Sequence, residues 1–321
     1  MEHLSTLING AGSYFNKMIL LTGANGFLGT ILKNELKNTY EVKTLSRNDV
    51  DYSYDITNTI PKFEQPFEMV IHSAGKAHVV PKTDAEKEEF YKVNTQGTIN
   101  LLQALEGVKN EIKAFILIST VAVYGLNKGE NIDEEAPLNA TDPYGHSKIL
   151  AEKAVIKWGV ENKVKIVILR LPLIIGENPE GNLKKMLHGI EKGYYFSIGK
   201  GDVKKSMVLA TDIASIIFTS ADKGGIYNLT DGYNPTFNEL ESVIAKKLKK
   251  RKPISLPYWF VWGVAKLGDG INLFFSNKVS PIDSNALHKI TSTLTFSDKK
   301  AKENIGWKPN KIQEFYWAFE E

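Results

Sequence analysis

The sequence predicts an α/β fold, a doubly wound parallel sheet, on three observations. Short apolar runs at 18–22, 41–45, 67–72, 113–119 and 164–170 alternate with amphipathic helical patterns at 27–37, 84–107 and 143–161, as a parallel sheet covered by helices on both faces requires. A glycine-rich run follows the first apolar stretch directly. Tyr144 and Lys148 stand four apart just behind Pro143, which suits the first turn of the third helical pattern.

Met18-Ile19-Leu20-Leu21 reads as the first strand, and Thr22-Gly23-Ala24-Asn25-Gly26-Phe27-Leu28-Gly29 follows it. Gly23, Gly26 and Gly29, at three-residue spacing, let the backbone turn tightly, approach a pyrophosphate and pack helix on sheet. The helix that opens there carries Phe27, Leu28, Ile31, Leu32 and Leu36 as its apolar stripe. Its N-terminus offers free N–H groups and the positive end of a dipole, so a dinucleotide is the expected ligand.

The second strand ends in Val42-Lys43-Thr44-Leu45-Ser46-Arg47, roughly where an acidic residue would clamp the ribose diol of NAD. Ser46 stands there, followed by Arg47, whose guanidinium can pair with a 2′-phosphate. NADP(H) is therefore favoured, with NAD(H) open because a shifted loop would bring Asp49 or Asp51 to the diol. The run from Ala114 to Ile118 ends in Ser119-Thr120-Val121-Ala122-Val123-Tyr124-Gly125, a strand tip and loop. A Thr120 hydroxyl there can bond a substrate oxygen and stabilise developing negative charge. On the third helix, Tyr144 and Lys148 rise from one face. A free phenol titrates near 10, and an ammonium about one turn away is expected to favour the phenolate. The same ammonium can hold a ribose hydroxyl. After Gly176 the alternation breaks through Asn178-Pro179-Glu180-Gly181 and returns near Ile213 to Leu229.

These residues resemble the extended short-chain dehydrogenase/reductase family, the sugar-nucleotide epimerases, dehydratases and reductases. Beyond the glycine run, the family's pattern is met by Asp55-Ile56, His72-Ser73-Ala74-Gly75, Asn94 within Val93-Asn94-Thr95-Gln96-Gly97-Thr98, Thr120 with Tyr124-Gly125, Tyr144 with Lys148, and Ile305-Gly306-Trp307-Lys308-Pro309. The resemblance implies a Rossmann-like sheet with a smaller α/β substrate-binding lobe. It implies a dinucleotide-binding domain over 18–176, with a returning segment near 210–231, and a substrate lobe drawn from 177–209 and 232–321. It also implies Tyr144 as acid/base, Lys148 on the ribose, Thr120 on the reacting oxygen, and Asp55 with Ile56 around the adenine. Asn94 would steady the neighbouring helix and the proton relay. Asn25, Phe27, Leu28, Ser73, Ala74, Gly75 and Leu171 join the cofactor set. Asn182 matches a position that touches the diphosphate, and Lys205 falls where relatives carry an arginine.

The reaction narrows by what is missing. Dehydratases of the family carry an Asp-Glu pair after the threonine, where Val121-Ala122 stands here; the base used in enolate epimerisation is often a cysteine with a histidine, and the chain has no cysteine. His78, in Gly75-Lys76-Ala77-His78-Val79, is a lone candidate base or substrate contact, or a histidine satisfied by loop backbone. Hydride exchange at one sugar carbon remains, as a 4-keto reductase with dissociable cofactor or a 4-epimerase holding NAD. Ser46-Arg47 favours the reductase. The wording around His72–His78, Arg170-Leu171-Pro172-Leu173 and Gly181-Asn182 is similar to that of bacterial reductases of UDP-4-keto-6-deoxy-N-acetylhexosamines, enzymes of surface polysaccharide biosynthesis. Leu173 departs from the family, which often places an asparagine there. A non-catalytic cofactor sensor on the same fold is the alternative of another class, and such proteins usually lose the Tyr or the Lys.

Composition agrees. A chain of 321 residues can bury a large core, and 42% hydrophobic with 24% charged residues is ordinary for a soluble protein. A net charge of +3 does not argue for nucleic acid, and the Lys246–Lys252 cluster reads as a solvated helix end. The absence of cysteine excludes thiolate nucleophiles, disulfides and cysteine metal sites, fits a cytoplasmic location, and leaves no metal expected. Residues 1–17 carry no signal-peptide or spanning pattern and read as a disordered N-terminal extension, with Met18 as a candidate start. The apolar stretch from Tyr258 to Phe275 contains Lys266, Asp269 and glycines, so it is expected to pack in the smaller domain, or to attach at a membrane interface, rather than to span one. Relatives pair as homodimers through helices corresponding to 84–107 and 143–161.

Overall fold

The computed structural model describes residues 18–77, 79–176, 179, 181–274 and 284–312. The N-terminal extension and His78 lie outside the described residues. The central sheet has seven strands, all pairings parallel: β1 (Met18–Thr22), β2 (Glu41–Ser46), β3 (Tyr52–Ser53), β4 (Met69–His72), β5 (Ala114–Thr120), β7 (Lys165–Leu171) and β11 (Gly225–Asn228), in the order β11-β7-β5-β4-β1-β2-β3. The chain winds outward from β1 to β3, returns to the other side of β1 at β4, and winds outward again. The sheet is thus Rossmann-like, with its switch point between β1 and β4, where open α/β sheets bind ligands.

The period of two along each strand sorts its side chains between two cores. Ile19, Leu21, Ile71, Ile116 and Leu169 face α1 (Phe27–Leu36) and α6 (Ala210–Lys223). Leu20, Val70, Phe115, Leu117 and Ile168 face α3 (Gly97–Leu105) and α4 (Pro143–Asn162) on the opposite side. The helical pattern at 84–107 forms one helical run from Asp84 to Leu105 that is not α-helical throughout: α2 (Asp84–Phe90), opened by a Thr83–Glu86 capping box, continues through a π turn over Tyr91–Gln96 into α3.

Residues beyond β7 build a third apolar cluster. Ile175 and Leu209 meet Leu183, Met186, Leu240 and Ile244 there. These come from β8 (Leu173–Ile175), which pairs with β10 (Met207–Leu209), and from α5 (Gly181–Lys192) and α7 (Phe237–Lys247). Two further parallel pairs join β12 (Ile254–Leu256) to β9 (Phe196–Ile198) and β13 (Leu294–Phe296) to β6 (Gly129–Ile132). α8 (Tyr258–Phe274), α9 (Ser284–Thr291) and α10 (Lys299–Ile305) complete the described elements. The Lys246–Lys252 cluster begins in the last turn of α7, as expected of a helix end.

Candidate active site

The loop from β1 to α1 is shaped by its glycines. Gly23 has a φ of 69°, and a Cβ there would sit 2.6 Å from the Ala74 nitrogen. A Cβ on Gly29 would meet the Gly23 carbonyl oxygen at 2.0 Å, so only glycine lets the helix close on its own loop. Gly26 is the N-cap, with no side-chain cap and no acidic residue in the first turn. The positive end of α1 is thereby left for an anion from outside. Asn25 Nδ2 donates to the Asn48 carbonyl at 2.7 Å and ties this loop to the tip of β2.

At that tip Arg47 is exposed and lines the crevice. Asp51 is not among the residues lining the crevice, and its Oδ2 accepts both the amide and the hydroxyl of Thr44, at 2.8 and 2.7 Å. Those hydrogen bonds hold its carboxyl below the ordinary range although burial opposes them. Asp55 accepts from the Thr57 hydroxyl at 2.7 Å, and its neighbour Ile56 is fixed through its carbonyl by Asn100 Nδ2 at 2.7 Å.

Two buried polar knots hold the floor between β1 and β4. Asn94, turned inward by the π turn, accepts from the Lys76 amide at 2.7 Å and donates to the Lys76 carbonyl at 3.1 Å and to Ser147 Oγ at 2.9 Å. It clamps the loop after β4 to the turn of α4 that lies between Tyr144 and Lys148. His72 is fully buried, with Thr22 Oγ1 at 2.6 Å from Nδ1 and Thr98 Oγ1 at 2.9 Å from Nε2. Thr98 gives its own proton to the Asn94 carbonyl at 2.6 Å, so Nε2 must donate to Thr98 and Nδ1 must accept from Thr22. The Ala74 amide closes the chain on Thr22 Oγ1 at 3.3 Å. Burial, with the Lys148 charge nearby, pushes the imidazole down to about 3.

The proton-handling group stands beside these knots. Asp142 caps α4 by accepting the Gly145 amide at 3.0 Å, with Pro143 in the first turn, so Tyr144 and Lys148 leave one face toward the tip of β5. Thr120 Oγ1 accepts the Ala122 amide at 3.1 Å and is hydrogen-bonded to the Tyr144 phenol. Lys148 Nζ donates to the Ile118 carbonyl at 2.6 Å. Burial lowers this amine to about 8, opposed by Glu152 one turn further on. The expectation that Lys148 draws the phenol toward neutrality is corrected by the geometry. Burial pushes the phenol up, Thr120 is the group that pulls it back, and the ammonium gives one of its three protons to a strand carbonyl.

These elements enclose one crevice of about 810 Å³, within the usual range of small-molecule sites, roughly 300–1,000 Å³. It gathers Gly23, Asn25, Gly26, Phe27, Leu28, Gly29, Arg47, Asp55 and Ile56 on one side. Ser73, Ala74, Gly75, Asn94, Thr120, Tyr144, Lys148 and Leu171 lie on the other. Asn182, exposed on α5, and Lys205 are not among its lining; Lys205 Nζ donates to the Lys289 carbonyl at 3.0 Å and burial lowers it to about 8. The sequence reading did not single out Lys76, whose ammonium pairs with Glu89 at the rim, nor Ser119. It also missed the buried pair behind them. Arg170 donates to both oxygens of Glu152, at 2.8 and 3.2 Å, and Ser119 Oγ donates to the same carboxylate. The signal was present as Tyr144, Lys148 and Glu152 at successive four-residue steps on one helix.

Residues 19–230 match the NAD dependent epimerase/dehydratase family. A UDP-glucose 4-epimerase from Vibrio cholerae is 29% identical over 318 residues, covering 91% of each chain. An N-acetyl-alpha-D-glucosaminyl-diphospho-ditrans,octacis-undecaprenol 4-epimerase from Escherichia coli O157:H7 is 32% identical over 257 residues, 76% of each chain. Among solved structures, RMD from Pseudomonas aeruginosa complexed with NADPH superposes with a TM-score of 0.71 at 21% identity, over 94% of this chain and 97% of that one. The UDP-glucose 4-epimerase of Thermotoga maritima with UDP-glucose gives 0.70 at 21% identity, over 93% and 96%. These likenesses to solved structures carry the fold.

Proposed function

We propose, from the premise that this chain belongs to the NAD dependent epimerase/dehydratase family, that it is an NADP(H)-dependent oxidoreductase acting at carbon 4 of a UDP-linked sugar. The reaction in this reading is reduction of a UDP-4-keto-6-deoxy-N-acetylhexosamine. The observation that carries the choice of direction is the tip of β2, where Arg47 is exposed at the crevice and Asp51 is engaged with Thr44. A guanidinium at that rim, with the Asp51 carboxylate turned to Thr44 and the Asp55 carboxylate, which also feels Arg47, turned to Thr57 and Asn58, suits a 2′-phosphate, and a phosphorylated, dissociable cofactor suits a reductant consumed at each turnover.

The cradle fits a dinucleotide. Gly23 and Gly29 leave no room for a Cβ, and the uncapped start of α1 offers its N–H groups to a pyrophosphate. Asp55 and Ile56 would face the adenine, Ser73 to Gly75 and Leu171 the remainder, and Lys148 the ribose. A bound nicotinamide supplies the hydride. Tyr144 gives the proton at its phenol oxygen to the nascent alkoxide at carbon 4, or takes it in the reverse direction. Thr120 turns its hydroxyl proton toward the same oxygen while the Ala122 amide holds it from behind. Asn94 keeps α4 in register with the floor through Ser147. Asn182 and Lys205 are proposed for the diphosphate of the substrate.

The names of the Vibrio cholerae and Escherichia coli relatives favour a second reading, a 4-epimerase that keeps NAD and returns the hydride. Purified protein separates the two. The reductase consumes one NADPH per keto sugar and carries no resident dinucleotide through purification; the epimerase releases NAD on denaturation and interconverts sugars without added cofactor. Neither turnover nor cofactor binding would refute both.

A further inference from the structure

From Tyr258 to Asp269, the described side chains of helix α8, every residue but Lys266 and Asp269 is apolar, aromatic or glycine, yet only Val261, Ala265 and Gly268 are buried. Val261, Ala265 and Gly268 face inward, against Ile198, Leu256 and Leu287. Trp259 and Leu267, eight residues apart and so on one face, are 73% and 72% exposed, with Phe260, Trp262 and Val264 beside them. Ile254 on β12 and Phe196, its register partner on β9, add exposed apolar surface next to the start of the helix. A helix without a polar face is normally buried, and an exposed apolar patch of this kind marks an interaction surface.

The charge around the patch is predominantly positive. The run Lys249, Lys250, Arg251 and Lys252 leads directly into Ile254, and all four are exposed, with Lys252 donating to Asn238. Lys200 is exposed beside Gly199, where an added Cβ would come within 4.0 Å of Tyr258 Cβ. On α8 itself Lys266 lies over the Trp262 ring at 5.8 Å. Of the acids nearby, Asp269 is bonded to Lys266 and Ser284, and Asp202 is exposed two residues from Lys200. Tryptophan, phenylalanine and leucine flanked by lysine and arginine is the chemistry of a helix lying in the plane of an anionic bilayer. Among the described residues no helix is long and apolar enough to cross a membrane, so the helix would rest on the surface.

We propose that the outward face of α8, with the basic run before β12, docks this protein on anionic phospholipid membranes. The proposal is independent of the reaction assigned above. The full chain is floated with phosphatidylcholine vesicles with and without phosphatidylglycerol. Binding to the anionic vesicles is expected to exceed binding to the zwitterionic ones by at least ~10-fold at low salt, and to weaken at high salt. Trp259→Glu with Leu267→Glu should reduce it by roughly 10²-fold or more while the melting temperature stays unchanged, since both side chains face solvent. Arg251→Glu with Lys252→Glu, on another element, should reduce it by at least ~10-fold. Absence of binding, equal binding to both vesicle types, or full binding by the Trp259/Leu267 variant would overturn the proposal. So would a wild-type dimer that the same variant splits while neither form binds vesicles, which would assign the face to a second copy of the chain.

Discussion

His72 and Tyr144 show what burial does to single groups in this site. The imidazole is held neutral by burial, with the Lys148 charge nearby, at about 3 against an ordinary 6.5. As pH falls from 6.5 toward 3 the unfolded chain takes up a proton that the folded one refuses, so this part of the stability is lost on the acid side. His72→Asn removes that dependence. Denaturant titrations should show the gap between parent and variant narrowing below pH 6.5 by about 1.4 kcal/mol per pH unit, and a gap constant with pH would show that the histidine is not held neutral. For Tyr144 the expected result is different in kind. Tyr144→Phe should leave NADPH affinity nearly unchanged while the rate falls by about 10² to 10⁴; an unchanged rate would remove the phenol from the proton transfer. That Thr120, Tyr144 and Lys148 meet at one crevice was expected from the strand tip and the four-residue spacing taken together with the family resemblance. The direction of the phenol's shift was not, because it is set first by how the folded chain buries Tyr144, with the Thr120 hydrogen bond opposing.

The elements that carry the site differ in how openly the sequence announces them. The β1–α1 turn was readable because glycine is required there by contact as well as by conformation. Gly29→Ala places a methyl group against the Gly23 carbonyl, and should destabilise the fold by about 1–3 kcal/mol or more while sharply weakening cofactor binding. Calorimetry on the free and cofactor-bound variant measures both, and normal affinity would show that the turn does not cradle the dinucleotide. The 84–107 segment was read as one helix, since an apolar period carries no mark of a single π turn. That turn adds the residue that sends Asn94 inward to the Lys76 loop. On α8 the sequence revealed a helix and left open whether it packs or attaches to a membrane. Only the three-dimensional contacts show that, among the described side chains from Tyr258 to Asp269, Val261, Ala265 and Gly268 are the buried ones.

Across the whole molecule the crevice depends on a buried network that joins elements far apart in the chain. Arg170 at the end of β7 meets Glu152 of α4, and its other arm donates to the Tyr124 hydroxyl, which in turn donates to Asn228 of β11. Removing one partner leaves an uncompensated charge. Glu152→Ala should destabilise the protein by about 3–5 kcal/mol, and Glu152→Leu combined with Arg170→Met should recover most of that loss. Equal losses for the single and the double variant would show that the pair is not coupled. The sheet was legible because period-two runs and helices repeat along the chain. Residues beyond Gly176 were harder to read, since their short strands pair with partners such as β6 and β9 rather than with sequence neighbours. The central claim, that hydride passes between a nicotinamide and carbon 4 of a UDP-linked sugar, is tested most directly by following deuterium from labelled NADPH into product from a UDP-4-keto-6-deoxy-N-acetylhexosamine. The account predicts one deuterium at carbon 4 for each cofactor oxidised. Product formed without deuterium, or cofactor left unoxidised by every such sugar, would contradict it.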